Sequence, residues 1–298
     1  GIMSAKVKDM TVGQPLGLIV SFALPLMMGS IFQQLYTVVD TMVVGKALGV
    51  DALAALGSTD WLTWMVLGMV QGITQGFGIL IAREFGAKRF EALRRVVGVS
   101  SALAAVCALV LLALAQLLAL PMLRLLQTPE DILGNALLYA RIIFLGTPII
   151  MAYNLLATVL RSLGDGRTPL VAMVLASLTN VGLDLLFVLA FRMDVLGVAL
   201  ATILAQAASW LFGLFYINRS YPDYAIRPFC FRFDGALFRE IMRIGLPSGL
   251  HMSLVALGSM VVMSKINSYG HDYTAAYNVG SKLDSMAFLP IQSLASAV

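Results

Sequence analysis

Charge is scarce in this chain. Asp, Glu, Lys and Arg make up 12% of its 298 residues, where a soluble domain carries about 25%. Cysteine and histidine are scarcer still, at two each. Cys107 and Cys230 lie far apart, without CxxC spacing and with no histidine set to complete a metal cluster, so they say little about redox compartment. The sequence has no GxSxG, no phosphate-binding loop and no His/Asp cluster, which leaves a membrane-embedded enzyme without its usual chemistry. A net charge of +4 speaks for membrane topology and against a nucleic-acid partner. The first apolar stretch is long and lacks a small-residue cleavage pattern, so it reads as a span and not as a cleavable signal.

Apolar residues fill the space that charge leaves. They reach 59% of the chain, with a mean hydropathy of +0.89. The fold class that follows is an all-α polytopic membrane protein. Eight apolar stretches are each near or above the roughly 20 residues that a helix needs to cross a bilayer. They run approximately over 16–44, 52–82, 95–120, 132–160, 169–191, 196–218, 238–266 and 275–298. Pro25, Gly29, Pro148, Pro247 and Pro290 fall inside them, as membrane helices tolerate. Fourteen of the twenty Lys and Arg precede the first span or follow the second, fourth and sixth, and four sit in the opposite loops. By the positive-inside rule the N-terminus is cytoplasmic.

Two parts of the chain repeat. ALPLMMGSIFQQLY and LGVDALAALG, within 23–57, have counterparts in GLPSGLHMSLVA and YGHDYTAAYN, within 245–278. Pro25 answers Pro247, Asp51 answers Asp272, and Gln71 answers Gln292. An even number of spans separates the copies, so they run parallel, like halves related by an axis along the membrane normal. Only two spans of the second copy are present, which leads us to expect a piece of a longer protein.

A few polar residues lie where hydrocarbon is expected. A carboxylate at the bilayer centre costs about 2.5–3.5 kcal/mol, so Asp40 and Asp184 need a reason to be there. Asn180 and Asp184 are four residues apart and share a helix face. Gln33, Tyr36, Thr37 and Asp40 share another, and Thr202 and Gln206 a third. Carboxylates, amide carbonyls and hydroxyls suit a hard cation such as Na⁺, while a proton needs only a carboxyl group able to hold it. The same residues serve either ion. Asn180 and Thr202 also suit simple interhelical hydrogen bonding. Lys282 and Asp284, two apart on the last span, line a cavity or pair with other helices, or Lys282 reaches the surface with its long stem. His251 reads as a core or cavity-lining residue, and His271 and Asp272 as solvated loop residues. Asp165 and Arg167, in Gly-Asp-Gly-Arg before Pro169, read as turn chemistry. Gly68, Gly72, Gly76 and Gly78 suit close helix approach.

Taken in order, YTVVDTMVVGKALG (36–49), GAKRFEALRR (86–95), RSLGDGRTP (161–169), NVGLD (180–184) and LGVALAT (196–202) give a chain that resembles the MATE (multidrug and toxic compound extrusion) transporters, in particular their prokaryotic branch. The resemblance covers nearly the whole chain. It implies a six-helix N-terminal lobe over 1–218, a cytoplasmic linker over 219–237, and the first two helices of a pseudo-symmetric second lobe over 238–298. It departs from the family in length, with eight helices against twelve. It also implies a cation site formed by Asp40, Asn180, Asp184 and Thr202, which would be Na⁺ ligands if Na⁺ is the coupling ion. Tyr139 and Asn154 would support that site, with Gln34, Tyr36, Lys282 and Asp284 as further cavity residues. The implied activity is export of organic, often cationic, compounds against inward Na⁺ or H⁺, with no other cofactor. The implied setting is the prokaryotic inner membrane, with a full-length protein acting as a monomer. The alternative is a lipid-linked oligosaccharide flippase of the same superfamily. That function calls for a basic cavity to hold a pyrophosphate, and Arg141 and Lys282 are the only intramembrane cations in the sequence.

Overall fold

The structure is a computed structural model that describes residues 13–126, 128–220, 235–267, 269 and 271–298. Among these residues it consists of nine α-helices: α1 (Pro15–Leu48), α2 (Val50–Gly86), α3 (Phe90–Leu125), α4 (Glu130–Leu145), α5 (Thr147–Ser162), α6 (Arg167–Leu185), α7 (Val195–Ser220), α8 (Gly235–Asn267) and α9 (His271–Ala297). A five-residue π-helical turn, Leu186–Ala190, extends α6. Most of the expected linker lies outside the described residues. Five helices are individually long and apolar enough to cross a membrane, and α4 with α5 passes the same test as one bent span. α8 and α9, expected as spans seven and eight, are not in that set. They carry Lys265, Lys282, Asp284 and several serines, although at 33 and 27 residues they are long enough to cross about 30 Å of hydrocarbon.

The fourth expected span is two helices, bent by 49° at Gly146. Pro148 is the cause. It lacks an N–H and its ring crowds the carbonyl four residues back, so a helix tends to stop before it and restart with proline in its first turn. At Gly146 a Cβ would stand 2.8 Å from Ile203 Cγ1 of α7, so the bend also lets two helices meet closely. The α5–α6 turn is built as the sequence indicated. Gly164 takes a left-handed φ of 79°. Asp165 Oδ1 accepts from the backbone N–H of Arg167 (3.1 Å) and Thr168 (3.0 Å), capping α6. His271 and Asp272, expected in a loop, open α9 instead. An acidic residue in a first helical turn is favoured by the helix dipole.

The main core joins α2, α3 and α5 through Phe77, Leu80, Ile81, Leu93, Val96, Met151, Val159 and Leu160. Gly78 is a contact point: a Cβ there would meet Thr158 Cγ2 at 2.6 Å, and the Ser162 hydroxyl donates to the Gly78 carbonyl across the two helices. The repeated segments pair reciprocally. α1 packs on α9, and α2 packs on α8. Contacts α1–α2 and α8–α9 close these four helices into a ring, and α2 is covered on its other side by α3, α4 and α5.

Among the described residues the ring is tight at one end. We call this the basic end, since it carries Arg83, Lys88, Arg89, Arg94 and Arg95. There Ile241 of α8 is 1% exposed within the main core, and Phe22 and Ala23 of α1 meet Ala297 of α9. Arg83 of α2 forms an ion pair with Glu240 of α8 at 2.6 Å. Toward the far end the same helix stripes become open. Val262 follows Ile241 on α8 and is 47% exposed, and Val279, on the stripe of Ala297, is 61% exposed.

Candidate cation and substrate site

Three helices, α1, α6 and α7, bring the four expected cation-site residues to a similar depth. Asp40 lies eight residues before the far end of α1, about 12 Å at 1.5 Å per residue. Thr202 is seven residues into α7, and Asp184 stands two residues before the π-helical turn at the far end of α6. The π turn widens the helix next to a buried carboxylate, a place where such turns recur. Its Phe191 N–H reaches back five residues to Leu186, and Phe187 stacks on Phe191 with centroids 5.9 Å apart.

Asp184 is fully buried and Asn180 nearly so. The Asp40 and Asp184 carboxyl groups stand within hydrogen-bonding reach of each other. Among the described residues neither oxygen of Asp184, nor Oδ1 of Asp40, receives a hydrogen bond. Two ionised carboxylates have acceptors only, so if both are ionised these three oxygens carry negative charge with no donor. Burying such a charge unpaired is costly. A shared proton or a bound cation resolves that cost, because either supplies the missing positive partner. Beside the pair, Asn180 Nδ2 donates to Thr202 Oγ1 at 3.4 Å, and the Thr202 hydroxyl donates to the Val198 carbonyl at 3.1 Å. That second bond fixes the threonine rotor and leaves its oxygen lone pairs facing Asn180. The oxygens gathered here are all hard donors, as Na⁺ requires.

One turn further out an apolar cluster caps the site. Val44, Val188 and Val198 are buried together, with Leu53, Leu56 and Tyr139 against them. Val44 and Val188 each follow an aspartate by four residues, so the cap is built on the helices that hold the pair. Tyr139 lies within electrostatic range of Asp40, Asp184 and Asp60. Asp60, on α2, was not among the residues singled out from the sequence. Gln206 extends the α7 face, with its Oε1 buried and unpartnered among the described residues.

Other expected residues do not join this group. The Asn154 amide nitrogen is bonded to the Ile150 carbonyl of its own helix at 2.8 Å. Gln34 is half-buried, but six residues separate it from Asp40, so it sits about 120° around α1. Asp284 is exposed on α9. The side chains of Tyr36 and Lys282 lie outside the described residues.

Fold and site together define a polytopic α-helical membrane protein with a buried acidic site beside a cleft between two repeated helix pairs. Comparison with known proteins narrows that class. The MatE family model matches residues 25–186. The chain is 33% identical over 285 residues to the probable multidrug resistance protein YoeA of Bacillus subtilis (strain 168), covering 93% of the chain and 61% of that protein. It is 32% identical over 294 residues to the probable multidrug resistance protein YpnP of the same strain, covering 98% and 65%. It superposes with a TM-score of 0.87 at 26% identity on the outward-facing conformation of a multidrug resistance MATE family transporter, over 96% of this chain and 63% of that one. A MOP superfamily transporter from Pyrococcus furiosus, described as having a binding pocket of reverse polarity, gives a TM-score of 0.85 at 27% identity over 96% and 63%. The chain belongs to the MatE family of MATE transporters. It spans less than two thirds of the length of these curated relatives.

Proposed function

We propose that this chain carries the coupling site of a secondary exporter that expels organic, often cationic, compounds in exchange for inward Na⁺ or H⁺. The observation that carries this reading is the Asp40–Asp184 pair, mutually close, with Asp184 buried and Asp40 half-buried, in which three carboxylate oxygens, both of Asp184 and Oδ1 of Asp40, are buried without a donor among the described residues. Asp40 and Asp184 would hold the entering cation, with Asn180 and Thr202 completing its oxygen shell and Tyr139 closing the outer side. Binding neutralises charge that the fold leaves uncompensated, so it favours whichever conformation best closes around the pair. Coupling needs that difference between states, because equal binding to both would shift nothing. Opening of the ring at the far end supports placing that end outside the cell and the basic end in the cytoplasm of a prokaryotic inner membrane.

The test is export of a fluorescent organic cation from drug-sensitive cells expressing the complete reading frame as wild type, Asp40→Asn and Asp184→Asn, at matched membrane levels. Imposed Na⁺ and proton gradients are applied separately. Wild-type export that falls about tenfold or more in both variants is the expected result, and the gradient that drives it names the ion. Equal export by the variants would sink the coupling role of the pair.

A further inference from the structure

α2 carries a second polar feature that the coupling site does not use. Asp60, Trp64, Gln71 and Gln75 are all exposed, and helical spacing puts them within about 60° of one another on one stripe. Polar groups exposed at membrane depth face water or protein, not lipid. The packing of α2 leaves one direction for them. α3, α4 and α5 cover one side of the helix, and α1 and α8 flank it. The open stripe therefore faces the space enclosed by α1, α2, α8 and α9. Asp60 lies ten residues from the far end of α2, about 15 Å in, close to the depth of Asp40. It follows Leu56 by one turn, and Leu56 packs with Tyr139 in the cap over the coupling pair. Trp64, one turn deeper, is 49% exposed.

We propose that Asp60 and Trp64 form a docking subsite for amphipathic organic cations, with Gln71 and Gln75 continuing the wet path toward the basic end. The proposal rests on the exporter reading and assigns its substrate a place. A carboxylate supplies charge compensation, and an indole face one turn away supplies cation–π attraction together with apolar area. Both act at a depth where water screens them less than at a surface. A large organic cation shields its own charge within apolar groups, so it loses little hydration on entering. Na⁺ and H⁺ make no use of the indole. Asp60 and the acidic pair both lie within electrostatic range of Tyr139.

The experiment measures equilibrium binding of radiolabelled tetraphenylphosphonium to protein from the complete reading frame, in nanodiscs, with empty nanodiscs as background. Tetraphenylborate, of the same shape and opposite charge, is the control probe. Asp60→Asn and Trp64→Leu should each raise the tetraphenylphosphonium Kd about tenfold and leave tetraphenylborate unchanged. Asp60→Glu and Trp64→Phe should retain most of the affinity, which separates a binding role from a folding one. Variants that bind the cation as wild type does would overturn the subsite alone. So would a loss that affects both probes equally. Absence of cation binding by the wild-type protein would overturn the organic-cation exporter reading and the subsite with it.

Discussion

At the scale of single residues, the proposed coupling site divides its work between the carboxylate pair and its amide–hydroxyl neighbours. There Asp40 and Asp184 would supply charge, and Thr202, which accepts a hydrogen bond from Asn180, would hold the amide in place. Thr202→Val keeps the volume and removes the oxygen. One neutral hydrogen bond is worth about 1 kcal/mol, so the half-saturating concentration of the driving ion in export assays should rise about fivefold, with maximal export little changed. No change in that concentration would leave Thr202 a packing residue. Asp40, Asn180 and Asp184 were legible in the sequence because a carboxylate or amide in an apolar run stands out whatever the fold. Asp60 was not, because its meaning depends on which face of α2 the other helices cover, and that information is not local. Asn154 shows what residue type alone does not tell: its amide nitrogen bonds back to its own helix.

At the scale of elements, helix number and order were readable from apolar length, and interruptions were not. The run over 132–160 is predominantly apolar and long enough to cross once, so it reads as one span. The bend depends on Pro148 and on the closeness of Ile203 to Gly146, a contact 57 residues away in sequence. The π turn after Asp184 has no one-dimensional mark at all. Close helix approach at Gly78 was readable as a small residue, and its partner was not. Gly78→Val puts branched carbon into Thr158 and should cost about 1–3 kcal/mol by overpacking, seen as a lower unfolding temperature in detergent. An unchanged temperature would mean α5 yields freely there. The open stripe of α2 has its own check in a background with Cys107 and Cys230 replaced by serine. Gln71→Cys and Gln75→Cys should react with a water-soluble maleimide, while Ile73→Cys and Leu80→Cys, in the core, should not. Equal labelling of all four would remove the wet path.

At the scale of the whole molecule, the repeat in the sequence becomes a reciprocal contact. The first helix of one copy meets the second of the other, and the converse pair does the same, as a two-fold relation requires. The repeat was legible from Pro25 and Pro247, but the end at which the pairs touch was not. Arg83 and Glu240 mark that end and join one copy to the other. Both are substantially exposed, so the pair is worth about 0.2–1 kcal/mol. Arg83→Glu or Glu240→Arg should open the basic end, raising maleimide labelling of Gln75→Cys in inside-out vesicles up to about fivefold. The double reversal should restore the wild-type rate. A double variant as reactive as the single ones would mean that the pair is incidental.

The single residue between α1 and α2 has a mechanical consequence. Gly49, with φ of 91°, is the whole connection between a helix of 34 residues and one of 37. Two rods joined so closely share their far ends, like the tines of a fork. Asp40 sits on one tine and Asp60 on the other, so a displacement of the shared end carries both. Pivoting by about 5° at the basic end carries the tip of a roughly 50 Å rod some 4 Å sideways. A small angular displacement prompted by charge at one tine is thereby delivered, magnified by leverage, to whatever rests against the other.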